Sequence, residues 1–371
     1  MKNDTNSLLI NMLRPFLLLI VIINHCTLDY GQIMGETSHL GGAVFQVIQV
    51  FLGKTITPSA VNCFFLISGF LFFLKSQGTQ IDLKQKLRKR FHSLLVPYLI
   101  WNVLGIVCLI LLAVLKGNGV DDFTFGRIVV YLWCSNVWSE DTVNLLGWPT
   151  PMYGPIDIPL WYLRDLIVVT LFSPLIYRIL RLLRYKFLLL VGLLYVLNIW
   201  TSLPGFSIDS LFYWSVGAYL SMNNKGFFPL FTKGITFLVI VVTVSILPVV
   251  TWLMVVREHI VLTGLLQRIL TMGLICVYIQ IFGYFAWNRK QIKVPEFILT
   301  SCFFVYAIHD FPRINPIGMV RSLCSNMLRD NLQIIIYLIT PIMVYVLSLM
   351  LYIITKRFMP KICTILSGGR G

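Results

Sequence analysis

The sequence predicts an all-α, polytopic membrane protein of about ten transmembrane helices, in a single domain over residues 1–371, with both termini cytoplasmic. Three observations lead there. Hydrophobic residues make up 57% of the 371 residues and charged residues only 12%, against roughly 45–50% and about 25% in ordinary globular chains. Mean hydropathy is +0.82. Apolar runs of about 20 residues, the length that crosses a hydrocarbon core, recur along the chain. A soluble globule cannot hide that much apolar surface, and disorder, a coiled coil and a secreted disulfide scaffold are excluded with it.

In chain order the spans fall at 8–26, 56–74, 94–115, 158–178, 187–203, 208–223, 234–255, 261–286, 296–312 and 332–355. The first contains Arg14 and is followed by no small-residue cleavage site, which argues against a signal peptide. An apolar segment at 43–53 is too short to span, which leaves it a place on the membrane surface. The net charge of +15 would suggest nucleic acid in a soluble protein. In a membrane protein it belongs to cytoplasmic loops, and no nucleic-acid partner is expected. With the N-terminus inside, twenty Lys and Arg fall in inner segments and seven in outer ones. That alternation supports an integral, multi-pass protein of the cytoplasmic (inner) membrane. The eight cysteines follow no metal-ligand spacing, so no metal is expected.

Ionisable groups inside a bilayer are costly, which makes them functional candidates. Arg14 and His25 are eleven residues apart in the first span. At about 100° per residue they share one helix face, about 16 Å apart in depth. The plainer reading is that Arg14 snorkels to the interface and His25 ends the helix; Pro15 could start or kink the helix there. In the second span, Ser68-Gly69 permits close packing of another backbone. Five cations between Lys84 and Arg90 occupy a loop at the mouth of the third span. They form either a solvated patch or a seat for phosphates, to which Arg offers bidentate hydrogen bonds. Arg164 and Asp165 lie about two turns into the fourth span. Adjacent residues on a helix diverge by about 100°, so each is expected to find a partner elsewhere. His309, near the outer end of the ninth span, sits at a depth similar to His25. The outer segment 116–157 mixes Asp121, Asp122, Glu140, Asp141 and Asp157 with Tyr131, Trp133, Trp138, Trp148 and Tyr153. That mixture suits sugar binding or an interfacial aromatic belt.

Together these pieces resemble acyltransferase family 3, the integral membrane acyltransferases. The resemblance rests on Arg14, ten residues and His25; on Phe64-Phe65-Leu66-Ile67-Ser68-Gly69-Phe70; and on the basic stretch from Arg88 to Trp101. It continues with Leu160 to Leu166, Ser173-Pro174-Leu175, and Tyr306 with His309. The order and spacing cover about residues 8 to 355. His92 and Ser93 stand where the family can carry further cations. The resemblance implies transfer of an acyl group, most commonly acetyl, from cytosolic acyl-CoA to a hydroxyl of a surface or exported glycan. It implies no permanently bound cofactor; acyl-CoA is a co-substrate, the acceptor is a glycan or lipid-linked glycan, and protein partners are not specified. No fused esterase-like domain is expected, since the chain ends soon after the tenth span.

The expected catalytic residues are His25 as general base, with His309 as the alternative, Asp165 orienting a histidine, and Arg164 stabilising the oxyanion. Histidine is suited to the base because its ordinary pKa lies nearest neutrality. Arg14, Arg88, Lys89, Arg90 and Ser68 are expected to bind the CoA. The rival reading is a polysaccharide or lipid-linked glycan flippase without acyl transfer. It would carry similar buried charges and predicts internal symmetry, which the sequence does not display.

Overall fold

A computed structural model describes the chain except residues 1, 28–39, 75–82, 118, 121–122, 135–141, 146–147, 152–153, 202, 229–231, 257–258, 289–292, 313–315, 324–332 and 370–371. The regular secondary structure among the described residues is helical apart from one short hairpin. α1 (Lys2–His25) runs unbroken through Pro15. α2 (Leu40–Val50) passes through a π-helical turn, Phe51–Thr55, toward α3 (Pro58–Phe73). The apolar segment expected to lie by itself on the membrane therefore belongs to a 31-residue apolar helical run, Ala43–Phe73.

α4 (Leu83–Leu115) is 33 residues long. It absorbs the basic stretch, which was expected to be a loop; Leu, Lys, Arg and Gln are all good helix formers, and propensity carries the span's helix outward. α5 (Phe125–Tyr131) is followed by an antiparallel hairpin, β1 (Thr142–Leu145) with β2 (Trp148–Pro151), in register Thr142 to Pro151 and Leu145 to Trp148. A 3₁₀ turn, Ile158–Leu160, leads into α6 (Trp161–Leu171) and α7 (Ser173–Leu183). These two helices meet at 61°, because Pro174 cannot continue α6 and instead opens α7.

α8 (Tyr185–Leu197) and α9 (Ile208–Met222) follow; Ser207 caps α9 by accepting from the Ser210 N–H at 3.2 Å. Then come α10 (Lys233–Val256), α11 (Ile260–Asn288), α12 (Glu296–Ile308), α13 (Pro316–Leu323), α14 (Gln333–Phe358) and α15 (Pro360–Leu366). Each of the ten expected spans is occupied by helix. Among the described residues, six helical runs are long and apolar enough to cross a membrane, and seven if the bent α6–α7 pair is one span. α8, α9 and α12 have 13, 15 and 13 residues, short of the roughly 20 that a full crossing takes.

The outer faces of the long helices carry large apolar side chains in the open, among them Phe237, Trp252 and Ile353. Lipid rather than water covers a surface of that kind, as expected of a multi-pass integral membrane protein. Inside, α1 packs against α3, α11, α12 and α14, and α3 packs extensively against α9. There a Cβ added at Gly69 would lie 2.0 Å from the Trp214 carbonyl oxygen, and one added at Gly217 would lie 2.0 Å from that of Leu66. The two glycines let the backbones touch, as small residues do between membrane helices. This contact leaves the neighbouring Ser68 beside a cavity.

Candidate active site

His25 occupies the last turn of α1, and Asp310 follows α12 directly after His309. The His25 Nδ1–H donates to Asp310 Oδ2 at 3.0 Å. A carboxylate only accepts, so in neutral His25 the proton is held on Nδ1 and the lone pair falls on Nε2. The His309 ring stands edge-on to that of His25, with centroids 4.9 Å apart. His309 is fully buried, and its Nδ1–H donates to the Tyr306 carbonyl at 2.7 Å. Its Nε2 has no hydrogen-bond partner among the described residues.

Two cavities flank Tyr306, which lines both. The larger, about 280 Å³, is bordered by His25, Asn24, Asn62, Trp161 and Asp209. The smaller, about 120 Å³, is bordered by Arg14, Arg90, Ser68, Phe64 and Tyr162. The Tyr306 hydroxyl donates to the Pro159 carbonyl, which fixes the ring between them. His25 lines the larger cavity, whereas His309 lines neither. Of the two expected histidines, His25 is thus the one with access to an entering molecule.

The cations sort unequally. Arg14 and Arg90 come from different helices and line one cavity, and neither has a carboxylate partner among the described residues. Two like charges in one cavity, with no counter-ion among the described residues, suit an anion chemically. Arg88 and Lys89 are exposed and lie away from it, because successive residues of α4 turn through about 100° and only Arg90 faces inward. Lys86 donates instead to the Phe72 carbonyl at 2.9 Å. The expected CoA group of Arg14, Arg88, Lys89, Arg90 and Ser68 therefore reduces, at this cavity, to Arg14, Arg90 and Ser68.

Two expectations are corrected. Asp165 was to orient a catalytic histidine, but the carboxylate bonded to His25 is that of Asp310. Asp165 Oδ1 instead accepts from Arg164 Nε at 3.1 Å and forms an ion pair with Nη2 at 3.1 Å. Arg164 was to stabilise an oxyanion, yet its Nη1 donates to the Trp133 carbonyl at 2.9 Å, and it lines neither cavity. The two neighbours pair with each other, contrary to expectation. Divergence of about 100° applies to Cβ directions, and an arginine stem is long enough to fold back.

The expected sugar-binding mixture in 116–157 is only partly described. Asp121, Asp122, Trp138, Glu140, Asp141 and Tyr153 lie outside the described residues. Tyr131 and Asp157 are buried, which removes them from any surface. The Asp157 N–H donates to Asn102 Oδ1 at 3.2 Å, while its carboxylate oxygens have no partner among the described residues. Burial first, and the Asp310 charge second, push its carboxyl well above the usual range.

Asp310, Asp209 and Asn62 were not singled out in the sequence. Asp310 had a signal, as the residue after His309. Asn62 and Asp209 had none, because they meet only across α3 and α9.

The architecture and the paired cavities define a class: a multi-pass membrane protein with a half-buried imidazole–carboxylate pair next to a cavity lined by two arginines. Residues 8–363 match the acyltransferase domain that defines acyltransferase family 3, and the chain belongs to that family. A curated relative is the succinoglycan biosynthesis protein ExoH of Rhizobium meliloti (strain 1021), 27% identical over 135 residues. That match covers 35% of this chain and 32% of the relative, so the chain spans about a third of the length of the curated protein it matches. No solved structure matches the chain significantly.

Proposed function

We propose that the protein moves an acyl group, acetyl in the first instance, from acyl-CoA to a hydroxyl of a cell-surface or exported glycan. The observation that carries this reading is the pair of cavities divided by Tyr306, one offering unpaired guanidiniums and the other an oriented imidazole. The diphosphate of CoA suits Arg14 and Arg90, since guanidinium binds phosphate through bidentate, charge-assisted hydrogen bonds. The acceptor hydroxyl enters on the His25 side. His25 Nε2 takes the hydroxyl proton as the oxygen attacks the thioester carbonyl. The tetrahedral intermediate collapses, the C–S bond breaks, and CoA leaves as a thiolate that the imidazolium can protonate. Asp310 keeps the imidazole oriented through the cycle and stabilises its charged form.

In this reading the Arg14 end of α1 faces the cytosol, the His25 end faces outward, and the membrane is the cytoplasmic one. The distribution of Lys and Arg along the sequence supports that orientation. The kinship with a protein named for succinoglycan biosynthesis supports a polysaccharide acceptor. The test is label transfer. Membranes bearing the protein, given acetyl-labelled acetyl-CoA, are expected to label envelope glycan, and His25→Ala membranes with equal protein content are expected to label none. Glycan that moves across the membrane without acquiring label would favour the flippase instead.

A further inference from the structure

The cavity beside His25 has a wall that proton abstraction does not use. Asp209 stands in the first turn of α9 and Asn62 in α3. Asn62 Nδ2 donates to Asp209 Oδ1 at 3.0 Å. Both residues line the cavity, together with Trp161 at the start of α6.

We propose that Asp209, held by Asn62, and the indole of Trp161 form the subsite that binds one sugar ring of the acceptor. This inference rests on the acyl-transfer reading and assigns the acceptor's seat within it. A carboxylate offers about four lone-pair sites, and Asn62 occupies one. The others suit the paired O–H donors of a vicinal diol. The Asn62 amide restrains the carboxylate in one orientation, so its geometry is set before a ligand arrives. Trp161 adds an apolar surface for the C–H face of a ring, and its indole N–H makes no hydrogen bond among the described residues. An indole brings such apolar area together with a polar handle.

Size and charge narrow the ligand. The cavity holds about 280 Å³, at the lower edge of the roughly 300–1,000 Å³ of small-molecule pockets, which suits one ring rather than a stretch of polymer. The Asp209 carboxylate repels an anionic group placed on it. The nearby cation, Arg268, is already engaged, donating to Asn198 Oδ1 at 2.5 Å and lying over the Tyr195 ring at 5.9 Å. The site therefore takes a neutral or amino sugar, with its diol on Asp209 and a neighbouring hydroxyl toward His25.

The plainer role for Asp209 is electrostatic, as an acid in the first turn of a helix. Kinetics separate the two. The full-length protein in nanodiscs is given labelled acetyl-CoA, with envelope glycan purified from cells lacking the protein as acceptor. Asp209→Asn keeps the side chain's size. The expected result is a KM for glycan raised about tenfold or more, with the KM for acetyl-CoA and the melting temperature unchanged. Trp161→Ala is expected to raise the glycan KM as well, and Trp161→Phe much less. An unchanged glycan KM in both Asp209→Asn and Trp161→Ala overturns the subsite while leaving acyl transfer standing. Should Asp209→Asn not accumulate, Asn62→Ser carries the same test, and a wild-type glycan KM there likewise overturns it. If the wild-type protein labels no glycan, the functional reading fails and takes the subsite with it.

Discussion

Two acidic side chains in this protein each hold a basic partner, and the difference between them separates structure from chemistry. Asp165 holds Arg164, its neighbour in sequence, with 3% and 7% of their side chains exposed. Asp310 holds His25 from 285 residues away, with 24% and 16% exposed. The first pair is closed. Its charges satisfy each other and the Trp133 carbonyl, and neither of the two cavities beside Tyr306 is lined by it. The second opens on a cavity with room for a ligand. A buried, satisfied ion pair is weak ground for function. An oriented base on the wall of a cavity is much stronger ground.

The largest effect expected from this contrast is a split between the two aspartates. Asp310→Asn leaves His25 without its charged partner. Turnover is expected to fall about 100-fold, in the range of general-base contributions, with protein level and the KM for acetyl-CoA unchanged. Asp165→Asn strands Arg164 without its charge partner, and breaking a buried pair costs about 3–5 kcal/mol. Its expected signature is less protein in the membrane, largely restored when Arg164 is also replaced by Met. Quantified blots and initial rates decide. A stable, inactive Asp165→Asn beside a fully active Asp310→Asn would invert the comparison.

Next in size are the two classes of arginine. Arg90→Ala removes half of the anion seat. At about 1.5–3 kcal/mol for a hydrogen bond to a charged group, the apparent KM for acetyl-CoA is expected to rise by roughly 10- to 100-fold. Arg88→Ala, on the exposed face of α4, is expected to change it less than about twofold, and that change should vanish in high salt. Equal shifts in the two variants would mean that the cavity does not select among these cations.

The smallest effect concerns Asp157, whose carboxyl is buried and raised well above its usual range. A carboxyl with a raised pKa binds more protons in the folded than in the unfolded state, so its contribution to stability falls as pH rises above the unfolded value of about 3.9. Asp157→Asn removes that penalty. The detergent-solubilised variant is expected to melt a few degrees above wild type at pH 8, about 2–4 °C for each kcal/mol relieved. The difference should close toward pH 4. A gain of the same size at both pH values would show that ionisation is not its source.

What could be read from sequence was what depends on neighbours along the chain. Arg14 and His25 share a face of α1 because helical periodicity places residues eleven apart together, and α1 keeps that geometry through Pro15. Apolar runs mark the helices, because a backbone in lipid must satisfy its own hydrogen bonds. The motif pieces alone single out His25, Ser68, Arg90 and His309. Periodicity on one helix carries no information about which side chain of another helix it meets. Depth made Asp165 a plausible partner for His25, and only the packing of α12 against α1 brings Asp310 there instead. The rotation of α4 decided that Arg90, and neither Arg88 nor Lys89, reaches the cavity. The touching backbones at Gly69 and Gly217 bring Asn62 to Asp209 across 147 residues. Local physics determined the helices and their faces, whereas the site exists only where helices remote in sequence meet, and helix–helix packing decides where that is.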